Sequence, residues 1–230
     1  MARIPPIEAS SIWDLGCGTG HLTVELASRW PDASVTGLDQ SEAMLERARR
    51  HEGPAWVQGD IAGWSPDVPA DIVFSNAALH WVDDHDRVVT RLTSALAPGG
   101  VLAVQVPRNF DEPTHRILAD LAAEPRWRDR VGHLAGPPSV LRPEDYHELL
   151  RSKVTALDVW ETTYHHALTG DDPVTEWVRG AAARPFLDVL GPDGDDFLAE
   201  YGVRARSAYP RREDGVTLLA FRRLFFVAIA

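Results

Sequence analysis

Apolar positions along this chain switch repeatedly between two periods. A first run, Ile12-Trp13-Asp14-Leu15, ends in Gly16-Cys17-Gly18-Thr19-Gly20. Leu22, Leu26 and Trp30 then recur at four-residue intervals, on one face of a helix. Ser34 to Leu38 reads as a second strand ending at Asp39. Ser41 follows as an N-cap with Glu42 in the first turn, and Met44, Leu45 and Ala48 form a helical stripe. Ala55 to Gln58 is a third strand before Gly59-Asp60, and Ala70 to Ser75 a fourth. Val88, Leu92 and Leu96 give the next helix face, closed by Pro98-Gly99-Gly100, and Val101 to Val106 is a fifth strand. Apolar strands alternating with helices predict an α/β fold with a parallel sheet covered on both faces.

The pattern loosens after Pro107. Glu112 to Ala123 predicts a helix, Pro125 to Pro143 a loop or hinge, and Pro143 to Leu150 another helix. Ala156 to Leu168 predicts a sixth strand, Asp172 to Tyr209 a mostly helical cap, and Thr217 to Ile229 a final strand. The 230 residues allow one large domain carrying such a cap.

Composition narrows the classes. Apolar residues at 44% and charged ones at 25% fit a soluble protein, with no run long enough for a membrane span, so the expected location is cytoplasmic. A net charge of −11 argues against a general nucleic-acid binder. Arg204, Arg206, Arg211, Arg212, Arg222 and Arg223 nevertheless crowd the C-terminal end. They read either as a solvated basic face or as a local positive pocket for an anionic substrate. The single cysteine, Cys17, rules out an internal disulfide, and no metal site is expected. The adjacent His165 and His166 lie on a strand, where neighbours point to opposite faces and chelate poorly.

The glycine spacing carries the chemistry. Glycine lets the chain turn sharply and lets a ligand approach closely, and the helix that follows offers N–H groups. The spacing is Gly-x-Gly-x-Gly, not the Gly-x-Gly-x-x-Gly of dinucleotide folds. Ligands of open parallel sheets bind beyond the strands' carboxyl ends, where Asp14, Asp39, Asp60 and Asn76 fall. Asp39 stands about 20 residues beyond the loop, where a carboxylate accepts from ribose hydroxyls. Each of these four also reads singly as a helix cap or a surface group.

Asp14, Leu15, Gly16, Gly18 and Gly20 resemble the first motif of the class I S-adenosylmethionine-dependent methyltransferases. That resemblance implies a Rossmann-like three-layer sandwich: a mostly parallel seven-stranded sheet with an antiparallel C-terminal strand and a helical substrate cap. It implies a cofactor-binding half over 1–107, connecting helices and loop over 108–155, and the cap over 172–209. The cofactor would be S-adenosyl-L-methionine, held by Asp14, Gly16, Cys17, Gly18, Gly20, Asp39, Gln40, Asp60, Ile61 and Asn76, with Asp60-Ile61 against the adenine. Cys17 would chiefly supply a small side chain for packing.

A narrower resemblance follows Ser75-Asn76-Ala77-Ala78-Leu79-His80-Trp81-Val82-Asp83-Asp84-His85, Val101-Leu102-Ala103-Val104-Gln105-Val106-Pro107, Glu112-Pro113-Thr114-His115, Trp160-Glu161-Thr162-Thr163-Tyr164-His165-His166, Arg184-Pro185-Phe186-Leu187 and Leu219 to Phe225. These stretches resemble the trans-aconitate 2-methyltransferase family. The resemblance implies esterification of a carboxylate on a small anionic substrate. His80 and Trp81 would line the transfer site, Arg184 and Arg223 would anchor the other carboxylates, and Tyr164, His166, Trp177 and Tyr209 would wall the pocket. No general base is needed, because a carboxylate is ionised at neutral pH. Each substrate residue also has a structural reading, as a surface ion pair or a core aromatic.

Two departures from the family pattern stand out. The first strand lies close behind Met1, where the family has a further helical segment over the cofactor, so a more open, weaker cofactor site is expected. Arg151-Ser152-Lys153 replaces small and acidic residues before the sixth strand, leaving that loop undefined. The alternatives are methylation of another small acid and cofactor binding without transfer. A monomer or homodimer is expected, with the small molecule as the partner.

Overall fold

The computed structural model describes residues 3–136 and 139–230. Seven strands form one sheet: β1 (Ser11–Leu15), β2 (Ser34–Asp39), β3 (Ala55–Gln58), β4 (Ala70–Asn76), β5 (Leu96–Pro107), β6 (Ala156–Leu168) and β7 (Thr217–Ile229), in the order β3-β2-β1-β4-β5-β7-β6. Pairing is parallel from β3 through β5. β7 runs the other way beside β5: Arg108 N–H donates to Arg222 O, while Gly99 N–H donates to Ala230 O and Ala230 N–H to Gly100 O. The order changes direction at β1 and β4, which places a ligand crevice beyond their carboxyl ends.

Helices α1 (His21–Arg29), α2 (Glu42–Ala48) and α3 (His85–Ser94) follow β1, β2 and β4. Ile12, Leu26, Trp30, Val35, Ile72, Phe74, Val101, Ala103 and Val227 share one core. That burial is what fixes the strand register, since a one-residue slip would turn these side chains to the other face. Ser41 caps α2, its hydroxyl accepting from Met44 N–H. Leu45 and Ala48 are fully buried, but Met44 of the expected stripe is exposed.

The fifth strand begins earlier than its apolar run. Val88 and Leu92 stay on α3, whereas Leu96 pairs with Ala70 in the sheet. Pro98-Gly99-Gly100 bulges between that pair and Ile72↔Val101, so it interrupts the strand instead of closing a helix. Gly100 is needed there: a Cβ would stand 2.8 Å from Ala97 O and 2.9 Å from Ala70 O.

The chain divides into two compact units. One comprises Met1–Pro107, Ser139–Thr162 and Leu224–Ala230; the other comprises Arg108–Pro138 and Thr163–Arg223. Both long strands, β6 and β7, pass from one unit into the other. The first unit also holds α6 (Pro143–Leu150), preceded by α4 (Pro113–Ala122) and α5 (Arg128–Val131) of the second. Arg151 pairs with Glu148 at 2.7 Å, and Lys153 Nζ donates to Leu149 O. Cations at a helix C-terminus complement its dipole, so the Arg-Ser-Lys departure stabilises the end of α6.

The second unit adds α7 (Pro173–Arg179), α8 (Arg184–Leu190) and α9 (Gly194–Ala208). The expected Pro125–Pro143 loop is partly helical, through α5 and a 3-10 turn at Gly132–Ala135; Pro137 and Pro138 lie outside the described residues. The cause is packing. Trp127 and Val131, one turn apart, are buried with Phe186, Phe197, Leu198 and Tyr201. Trp127 meets Phe197 edge-on at 5.4 Å, and Phe186 stacks on Phe197 at 5.7 Å.

Candidate functional site

The glycine loop is built from the backbone outward. Gly16 and Cys17 N–H both donate to Leu38 O, and Gly20 N–H to Cys17 O. Gly18 N–H donates to Asp39 Oδ2 at 2.8 Å, while Asp39 Oδ1 accepts from Ser41 N–H at 2.9 Å. These loop amides therefore turn inward and are not themselves offered to a ligand. Such a loop suits a ligand that brings no phosphate. Asp39 keeps further lone pairs on both oxygens for hydroxyl donors.

Two glycines define the loop's shape. Gly16, at φ +77°, lies against the turn after β4, and a Cβ there would fall 2.1 Å from Ala78 Cβ. Gly18, at φ +56°, has no heavy atom within 4 Å of where a Cβ would stand. The first glycine is packed and the second is open, as a bare backbone surface for close approach. Gly20 precedes α1 in a left-handed conformation beneath the Trp56 ring.

Asp14 is 2% exposed and accepts a hydrogen bond from Thr23 Oγ1 at 2.6 Å. Burial pushes its carboxyl up to about 7, the Thr23 bond opposes that, and the nearby Asp39 charge adds to it. Cys17 is buried, and desolvation helped by Asp14 and Asp39 pushes its thiol up to about 12, which keeps it a neutral thiol. Asp60 caps the 3-10 turn Ile61–Gly63, accepting from Ala62 N–H at 2.8 Å. Ile61 is buried, with Cδ1 3.4 Å from the Gly16 Cβ position. Gln40 is exposed, and its carbonyl accepts from Gln58 Nε2.

Asn76 ends β4 in register with Gln105 of β5. Ala77 beyond it takes φ +53°, rare for a residue with a Cβ, and its N–H donates to Gln105 O. His80 and Trp81 form the 3-10 turn that follows. Burial, helped by His85, pushes the His80 imidazole down to about 4, so it is neutral at pH 7 and no cationic anchor. Trp81 is 67% exposed, its ring tilted on His80 at 4.7 Å. His85, on α3, fixes this turn by contacts from its two ring nitrogens to Tyr146 Oη and Leu79 O.

The second unit holds its own cluster. Tyr164 and His166 share one face of β6, and Phe221 and Arg223 share one face of β7. The Arg223 guanidinium stands 5.3 Å from the Tyr164 ring and 5.4 Å from Phe221. His166 lies 4.6 Å from Trp177 and 5.9 Å from Phe221. Arg223 Nε and His166 Nε2 are buried without a hydrogen-bond partner among the described residues. Other arginines of the C-terminal crowd are paired: Arg204 with Glu124, Arg206 with Asp172 and Arg222 with Glu112. Arg184 is exposed and pairs with Asp188 at 3.5 Å. Tyr209 instead lines a cavity of about 180 Å³ with Asp172, Arg206 and Arg211, and its Oη accepts from Thr114 N–H.

Three contributors escape the sequence reading. Arg91 donates to Ile61 O at 2.8 Å and to Ala62 O, clamping the 3-10 turn to α3. Trp56 packs where Cβ atoms on Gly20 and Gly37 would be. Gln105, in a family-like stretch but given no role there, is 4% exposed within an otherwise apolar strand, and that lone polar position was its signal.

The methyltransferase-domain family profile matches residues 12–100. A Bacillus subtilis protein, YcgJ, shares the fold at TM-score 0.58 and 15% identity, over 96% of this chain and 92% of its own. Phosphoethanolamine N-methyltransferase 2 of Haemonchus contortus, solved with S-adenosyl-L-methionine, superposes at TM-score 0.56 and 16% identity; this chain spans half that structure's length. The sheet order, the glycine loop and these matches define an S-adenosylmethionine-dependent methyltransferase. Trans-aconitate 2-methyltransferase of Streptomyces coelicolor is 47% identical over 99% of this chain and 79% of the relative. The Variovorax paradoxus enzyme of that name is 46% identical over 99% and 90%. The chain belongs to the trans-aconitate 2-methyltransferase family.

Proposed function

We propose that this protein transfers a methyl group to a carboxylate of trans-aconitate, or of a close polycarboxylate, giving a methyl ester and S-adenosyl-L-homocysteine. The observation that carries the substrate class is identity of 47% that runs through the helical unit as well as the cofactor half. The sheet motifs alone are common to a whole superfamily and say little about the acceptor.

The cradle's chemistry fits the donor. The bare backbone at Gly18 admits close approach, and the Asp39 carboxylate retains lone pairs for ribose hydroxyls. Asp60 and Ile61 would flank the adenine, with Asp14, Gly16, Cys17, Gly20, Gln40 and Asn76 shaping the rest. When bound, S-adenosylmethionine supplies a methyl group on a cationic sulfur, which keeps the bonding pair when a carboxylate oxygen takes the methyl, and no proton moves.

The chain's part is to hold and orient. Arg223, without an acidic partner among the described residues, offers a guanidinium fork to a carboxylate that does not react. Tyr164 and Phe221 flank that cation, His166 and Trp177 pack against Phe221 and with Tyr164 would wall the acid, and Arg184 and Tyr209 would contact it further out. Proximity and orientation supply most of the rate. A neutral His80 beside Trp81 leaves the attacking oxygen free of an ion pair.

A screen of small polycarboxylates with labelled donor tests the reading. Trans-aconitate is expected to give the highest kcat/KM, and turnover of another acid with none of trans-aconitate would overturn it. Arg223→Met is expected to raise KM for the acid roughly 10- to 100-fold, from loss of a charge-assisted bond.

A further inference from the structure

We infer that Gln105 binds the acceptor, its side-chain amide donating to the carboxylate that receives the methyl group. This rests on the methyl-transfer reading above and names a residue for it.

The side chain is 4% exposed, and neither Oε1 nor Nε2 has a hydrogen-bond partner among the described residues. A buried amide left unpaired is costly, and an apolar side chain of the same size would remove the cost. Its neighbours show what this strand otherwise contains: Val101 through Val106 are buried and apolar but for this one position. The polar group therefore answers to something other than folding.

Its place says what. Parallel register pairs Phe74 with Ala103 and Asn76 with Gln105, so these side chains share one face of the sheet. Asp14 pairs with Phe74 and belongs to the same face. Gln105 thus stands at the carboxyl end of β5, one strand over from Asn76. The turn beyond Asn76 is pinned to it through the Ala77 N–H to Gln105 O bond, with Ala77 held at φ +53°. Strain at such a turn persists where surrounding structure enforces it, and it gathers at ligand sites. The next residue, Ala78, packs against Gly16 of the glycine loop.

The chemistry suits an attacking carboxylate. A neutral amide can orient it through one N–H bond without neutralising it as a guanidinium would, so the oxygen keeps its nucleophilicity.

Gln105→Leu and the unbranched Gln105→Met test this with three readouts: melting temperature, affinity for S-adenosylhomocysteine, and affinity of the S-adenosylhomocysteine complex for trans-aconitate by calorimetry, with steady-state rates alongside. We expect unchanged or higher melting temperatures, cofactor-product affinity within about twofold, and losses of roughly 10- to 100-fold in acid affinity and kcat/KM. Unchanged acid affinity and kcat/KM in a folded variant, beside an active wild type, overturns the inference alone. A lowered melting temperature with unaltered rates assigns a structural role, and lost cofactor affinity with intact acid binding assigns the amide to the donor; either overturns it. A wild type that forms no S-adenosylhomocysteine in response to the acid brings down the underlying reading instead.

Discussion

Asp14 shows how one buried carboxyl couples the loop to pH. Its folded-state pKa, about 7, lies above its ordinary value of 3.8, mainly through desolvation. A raised pKa means that ionisation is resisted by the fold. The stability is fully present below the unfolded value and is lost as pH rises from about 3.8 through about 7. A shift of that size is worth on the order of 4 kcal/mol. Asn would keep an acceptor for Thr23 Oγ1 without the charge. Asp14→Asn in the ligand-free protein is therefore expected to raise the melting temperature at pH 8 and to leave it nearly unchanged near pH 4. Destabilisation at pH 8 would contradict the assignment. The residue was legible as a loop acid from its place before Gly16, but its near-neutral pKa was not. That depends chiefly on burial beneath the packed sheet, with a smaller push from the Asp39 charge, neither of which the local sequence displays.

Among the elements, the short 3-10 turn over Ile61–Gly63 has little of its own to hold it. Three residues cannot sustain a helix, so Arg91 on α3 does the holding, through bonds to the carbonyls of Ile61 and Ala62. Arg91→Met should loosen the turn and weaken S-adenosylhomocysteine binding by roughly 1.5–3 kcal/mol, the value of a hydrogen bond from a charged group. Calorimetry checks this, and unchanged affinity would remove the clamp from the account. Element boundaries follow a similar lesson. β3, β6, β7 and α6 begin and end where the apolar pattern places them, because each is bounded by turn residues. The start of β5 was hidden because a bulge put Pro98-Gly99-Gly100 inside a strand, and glycine there reads locally as a stop. The helix α5 was hidden because Arg and Pro dominate its stretch, and only burial of Trp127 and Val131 against partners far along the chain reveals it. Of the C-terminal arginines, sequence could count the cluster but not see that Arg204, Arg206 and Arg222 face acids while Arg223 faces rings.

At the scale of the whole molecule, a chain of net charge −11 is proposed to take an anionic substrate, so the attraction has to be local. The helical unit has its own core, and integrity of that core should matter more to the acid than to the donor. Phe197→Ala, at a fully buried ring, is expected to cost about 3–5 kcal/mol and to raise KM for the acid more than the dissociation constant of S-adenosylhomocysteine. Equal losses on both sides would contradict that division of labour. Family membership and fold were legible from the glycine spacing and the stretches around His80, His166 and Arg223, and the acceptor rests on the proposal built from them. The most direct test follows the methyl carbon itself. Purified protein is incubated with trans-aconitate and S-adenosylmethionine carrying a carbon-13 methyl, and the products are read by NMR and mass spectrometry. The account predicts an ester methyl signal on a trans-aconitate monoester, matched one for one by S-adenosylhomocysteine. A protein that binds the donor tightly yet leaves the label on sulfur would contradict it.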